Sequence, residues 1–128
     1  MTASTILSSV RSPLAAAVGS VAANVYDHMP EAPFCPFVAV YPSLPYLEPN
    51  TIGSTTRVKV NLEVAVGVNL AENSAALDNL ETLTMAVLAA IPHGYEVNPV
   101  TTNPMEVSGG SRILVAVIPI STQYTQTN

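Results

Sequence analysis

Between Arg57 and Val68 every even position is Val or Leu, while the odd positions carry Arg57, Lys59, Asn61, Glu63, Ala65 and Gly67. A period of two sends alternate side chains to opposite faces of a pleated strand, so a strand with one face buried is predicted here. The next segment changes period. From Asn73 to Ile91 the residues Leu77, Leu80, Leu83, Thr84, Val87, Leu88 and Ile91 recur at steps of three and four, which gathers them on one side of a helix. Each element needs a surface to cover it. Together they set the expected class: α+β, a mainly antiparallel twisted sheet of about four to five strands flanked by two helices.

The flanking sequence fills in the remaining elements. Ser4 to Val18 places Ile6, Leu7, Val10, Leu14 and Val18 on one helical stripe, with Ser4 or Thr5 available as N-cap. Pro13 allows either a kinked helix or one that starts late, with Ser12 as its cap and Pro13 in first position. Gly19 ends it, and Asn24 to Tyr26 reads as a short strand leading into Asp27-His28-Met29-Pro30. Six of the eleven prolines lie between Pro30 and Pro49, yet they frame a strand at Phe37 to Tyr41, between Pro36 and Pro42. Pro42 to Thr56 then reads as a long loop holding Tyr46, Leu47 and Ile52, and loops of this length are usually functional or mobile. These side chains either present a docking surface or fold back over the core edge.

Beyond the second helix, Pro92-His93-Gly94 is a stop signal, Tyr95 to Thr101 reads as a short strand, and Asn103-Pro104 implies an edge or a bulge. Ser108-Gly109-Gly110-Ser111 is a hairpin turn between Met105-Glu106-Val107 and a strand from Arg112 to Ser121. Ile113 to Ile118 is apolar at every position, which marks that strand as central and covered on both faces, with Pro119 limiting its pairing. The polar residues Gln123 to Asn128 would ordinarily fray.

At 128 residues the chain is expected to be one domain, residues 1–128. It is 48% hydrophobic and 10% charged, against a usual charged share of about 25%, so much of its surface is uncharged and suited to lasting contact with other subunits. Its net charge is -5, and its four cations, Arg11, Arg57, Lys59 and Arg112, form no cluster in sequence, which speaks against nucleic-acid binding as the main activity. No Lys or Arg precedes Arg11 and no apolar run approaches the ~18 residues that cross a bilayer, so neither a signal peptide nor a membrane span is expected. A soluble protein assembled in the cytosol fits that pattern.

Reactive chemistry is sparse. Cys35 is the only cysteine, which excludes an internal disulfide and a cysteine-rich metal site, and between Phe34 and Pro36 it reads as an inert thiol rather than a partner of Asp27-His28. His28 and His93 lie far apart beside prolines, with no second ligand at zinc spacing. There is no Gly-x-Ser-x-Gly, and Gly109-Gly110 opens no helix. Glu72, Asp78 and Glu81 are expected to face the positive end of the second helix dipole. No catalytic, cofactor or metal site is expected.

The order of parts then becomes informative. An N-terminal helix is followed by Val25-Tyr26-Asp27-His28-Met29-Pro30 and by Phe37-Val38-Ala39-Val40-Tyr41-Pro42. Tyr46-Leu47-Glu48-Pro49 comes next, then the alternating strand, and Ala75-Ala76-Leu77-Asp78-Asn79-Leu80 opens a helix. From about Ser4 to Thr122 this order resembles the tail terminators of siphoviruses, through packing and turn motifs of low specificity. The resemblance implies a homohexameric ring at the head-proximal end of the tail tube, within the virion's head–tail junction and built in the bacterial host cytoplasm. It implies the major tail tube protein and a head-completion or stopper protein as partners, with no cofactor and no catalytic residue. DNA would pass through the channel unbound, since an acidic protein gains nothing from counterion release. Another neck component, such as a stopper or head-closure protein, shares this character, and a small ligand-binding regulatory domain would instead need a concave pocket. The expected interface residues are Tyr41, Tyr46, Leu47, Ile52, Arg57, Lys59, Glu63, Arg112 and Tyr124.

Overall fold

A computed structural model describes residues 10–21, 24–26, 36–69, 74–106 and 112–127. In chain order the elements are helix α1 (Ser12–Gly19), strands β1 (Asn24–Tyr26), β2 (Phe37–Thr51) and β3 (Thr55–Asn69), helix α2 (Ser74–Ala90), and strands β4 (Glu96–Val97), β5 (Thr101–Glu106) and β6 (Arg112–Thr127). The strands form one sheet in the order β1-β2-β3-β6-β4, with β5 also pairing β6. Every pairing is antiparallel except β1 with β2, which is parallel. The class is α+β as expected, with six strands where four or five were anticipated.

The alternating strand is the centre of the sheet. It pairs β6 without a break, from Thr55 opposite Thr127 to Asn69 opposite Ile113. The polar end of the chain is therefore the far half of a central strand. Gln123 to Thr127 do not fray because each lies opposite a residue of Thr55 to Lys59. On the other side of β6, Pro119 decides where pairing stops. Its carbonyl accepts the Asn98 N–H at 2.9 Å. Its missing N–H leaves no second bond there, and the neighbouring chain separates into β4, ending opposite Ile120, and β5, starting opposite Val117. Asn103 and Pro104 lie in β5, on the edge that their composition implied.

Both helices lie on one face. Leu14 and Val18 of α1 and Ala76, Leu80 and Val87 of α2 share a core with the even positions Val60 to Val68 of β3, with Val38 and Val40, and with Ala116, Ile118 and Ile120. Leu77, expected on the buried stripe of α2, is exposed, and Ala76 is buried in its place. The other face holds a smaller cluster of Phe37, Ala39, Ala65, Ile113 and Val115, edged by Tyr26, Tyr41 and Val117. The alternation thus marks a one-sided strand only up to Glu63; from Val64 to Val68 both faces are buried.

Gly67 shows why that second cluster closes. A Cβ at this position would lie 1.9 Å from Cε1 of Phe37, so the Phe37 ring occupies the space a side chain would need. Tyr26 meets the same ring edge-on, with centroids 6.0 Å apart and planes at 70°.

Local signals set the helix ends. Residues 10–11 form a π turn that runs directly into α1, Arg11 holds the N-cap position in helical backbone with no side-chain cap bond, and Pro13 falls in the first turn, so Ser12 is not the cap. Residues 4–9 of the expected longer helix lie outside the described residues. The first turn of α2 contains no acidic residue. Asp78 and Glu81 therefore sit past the reach of the dipole that was expected to hold them, and Glu72 is outside the described residues. Gly94, at φ 96°, makes the turn after α2, and its carbonyl accepts a bond from the Thr122 hydroxyl at 2.8 Å. The Tyr95 hydroxyl donates to the carbonyl of Val10 at 2.5 Å, tying this turn to the start of α1, and burial raises its pKa. The turn 108–111 and the segment around His28 and Cys35 lie outside the described residues.

Candidate assembly surfaces

Beyond Pro42 the sheet continues as a three-stranded arm: the outer half of β2, the start of β3 from Thr55 to Asn61, and β6 from Ser121 onward. The long loop expected from Pro42 to Thr56 is corrected by this finding. Pairing runs to Thr51, and only residues 52–54 form the turn. Proline density suggested a loop, but β2 is an edge here: β1 covers it only from Phe37 to Ala39, and among the described residues no strand pairs with it farther out. An edge strand tolerates Pro42, Pro45 and Pro49 because one side of it donates no ladder bonds.

A bulge shapes the base of the arm. Pro42 lies opposite Leu62 and Leu47 opposite Val60, so residues 43–46 bow outward against the single residue Asn61. The Asn61 side-chain amide fastens them, donating to the carbonyl of Pro45 at 3.0 Å and to the Glu48 carboxylate at 2.6 Å. Ser43 donates to the Glu63 carboxylate at 3.0 Å. Beside it the Tyr41 hydroxyl is pushed up to a pKa of about 12, first by burial and then by the charge and hydrogen bonding of Glu63. Nearer the tip, Asn50 donates to Gln123 across β3 at 3.2 Å.

This scaffold holds apolar side chains out in water. Leu44, at the crest of the bulge and next to the cis Leu44–Pro45 bond, is 95% exposed, and Ile52 at the tip is 77% exposed. Leu47 is also exposed, as is Arg57, while Lys59 is half-buried. Tyr46 turns inward and packs against the main core, which is the alternative that sequence left open for it. The expectation for Tyr124 is corrected. It lies in a paired strand and in the core at 7% exposure, with its hydroxyl buried and unpartnered. Arg112 is exposed at the start of β6, at the opposite end of the strand from the arm. The structure therefore gathers Leu47, Ile52, Arg57 and Lys59 on the arm and Tyr41 and Glu63 at its base, and separates Arg112 from them.

A second apolar surface was not anticipated. Between α2 and β5 runs an open groove of about 350 Å³, lined by Leu77, Leu80, Thr84, Met85, Val100 and Thr102 among others. Leu77, Met85 and Val100 are exposed along it, Met85 at 65%. The signal available in sequence was Met85, an apolar residue off the main stripe of α2. Asp78 and Glu81 are exposed on the same helix, which has no basic residue. The Thr84 hydroxyl is buried beside the groove without a partner. Two other open concavities flank α1 and α2: one of about 420 Å³ lined by Arg11, Tyr26 and Tyr41, and one of about 560 Å³ lined by Val21, Val68 and Leu83.

Among the described residues no group of three or more His, Cys, Asp or Glu side chains is placed to hold a metal ion, and no helix is long and apolar enough to cross a membrane. No family model and no curated protein matches the chain. Among solved structures 24 chains match. One is a chain of a structure described as the virion of a native gene transfer agent (GTA) particle, similar at a TM-score of 0.47 and 16% identity, with 93% of this chain and 92% of that one covered. A likeness of that size assigns the chain to no family.

Proposed function

We propose that this chain is a tail terminator of the siphovirus type, a structural subunit that forms a ring on the head-proximal end of a tail tube, ends its growth and offers a face to the head. Two things support the reading: the order of sequence motifs, and the arm, which holds Leu44, Leu47 and Ile52 exposed on a paired, hydrogen-bonded support. The arm is the observation that carries it. A subunit that stays alone gains nothing from exposed apolar side chains on a rigid projection, whereas apolar contact contributes about 25 cal/mol for each Å² buried between subunits. The ring's role is occupancy: it covers the growing end with subunits that accept no further tube ring, and no turnover is involved.

Native mass measurement and negative-stain microscopy of the purified protein, alone and with tail tubes, test this. Six-fold rings that cap tubes and fix their length are expected. A protein that stays solitary at high concentration and leaves tube growth unchanged overturns the reading.

A further inference from the structure

We infer that neighbouring copies join arm to groove: the arm of one subunit seats in the α2–β5 groove of the next, with Leu44, Leu47 and Ile52 against Leu77, Met85 and Val100. This rests on the ring proposed above and specifies its joint. The two surfaces are separate patches of the subunit: the arm is the outer half of β2 with the adjoining ends of β3 and β6, and the groove lies between α2 and β5. A ring requires that placement, since a heterologous contact joins two different patches of the same subunit.

Charge selects the same pairing. Two of the chain's four cations, Arg57 and Lys59, stand on the arm against one acid, Glu48, which lies opposite Lys59 and accepts a bond from Asn61, so the arm is net positive by one charge. The α2 helix beside the groove carries Asp78 and Glu81 and no cation. Arm against arm would oppose cations, groove against groove would oppose carboxylates, and arm against groove pairs unlike charges around an apolar centre. Strand addition between arms is blocked as well, because the outer half of β2 carries Pro42, Pro45 and Pro49.

Charge reversal tests the joint. Arg57→Glu with Lys59→Glu, or Asp78→Lys with Glu81→Lys, should each weaken ring formation about a hundredfold while leaving the subunit folded by circular dichroism. Mixing the two variants should restore rings of alternating subunits, since each arm then meets a groove of opposite charge. Restoration also excludes misfolding as the cause of the loss. In a second test, Ile52→Cys with Met85→Cys in a Cys35→Ser background should give a ladder of disulfide-linked copies on mild oxidation. Wild-type rings accompanied by reversed variants that still form rings, or by folded cysteine variants that give no ladder, overturn the joint and leave the ring standing. Rings that persist in the arm variant but no longer cap tubes show that the arm meets the tube protein, which also overturns the joint. Wild-type protein that forms no ring overturns both.

Discussion

The same three strands behave differently in the two halves of the sheet. In the body, Phe37 to Tyr41, Val64 to Val68 and Ile113 to Ile118 are packed on both faces, and the fit is tight enough for the Phe37 ring to fill the place of a Cβ at position 67. In the arm cross-strand pairing continues through register shifts in β2, and side-chain amides do much of the fastening: Asn61 to Pro45 and Glu48, Asn50 to Gln123. Burial sets the stability of the first region, and pairing with polar clamps sets the shape of the second. The protein thereby keeps a firm core while presenting apolar groups to water, two demands that conflict within a single region.

The division can be broken by mutation. Phe37→Ala, in the body, should cost about 3–5 kcal/mol of unfolding free energy, read by urea denaturation. Gly67→Ala drives a methyl into the same ring and should cost about 1–3 kcal/mol, with part of the loss recovered when Phe37 is also made Leu. In the arm, Asn61→Ala should cost about 1 kcal/mol or less overall, while amide exchange across residues 43–48 accelerates and the core stays protected. An Asn61→Ala protein that unfolds as a whole would show that body and arm are one cooperative unit. Thr84→Val removes a buried hydroxyl that has no partner and should raise stability by about 1 kcal/mol.

The junction of the two regions answers to pH. Tyr41 titrates at about 12 in the folded protein against 10.0 ordinarily, so its contribution is complete below pH 10 and is lost as the pH rises from there towards 12. An ultraviolet titration should show Tyr41 and Tyr95 ionising later than an ordinary tyrosine. Glu63→Gln should move Tyr41 back towards 10.0 only in part, because burial is the larger cause.

Legibility in the sequence follows the same boundary. The period-two run at Val58 to Val68, the α2 stripe at Leu80, Thr84 and Val87, and the apolar run at Ile113, Val115, Ala116 and Ile118 are signals of burial, and the structure buries them. The arm gave a contrary signal. Three prolines read as a loop because sequence does not show that one side of β2 lacks a strand neighbour, and Gln123 to Thr127 read as a frayed tail because pairing with Thr55 to Lys59 depends on register set far away at Val64 and Ile118. Tyr124 was misplaced for the same reason. Leu47, Ile52, Arg57 and Lys59 stand out in sequence as apolar and cationic residues in a polar stretch, and the structure places them together on the arm, whereas the groove depends on how α2 and β5 approach and has no linear signature.

The prolines along the free edge of β2 also bear on temperature. With few amides to offer, that edge can be gripped by another chain only through side chains, and such joints weaken on cooling, unlike ladders of main-chain bonds. Assemblies built through the arm should loosen on ice and be restored by sulfate, so preparations kept warm would preserve them best.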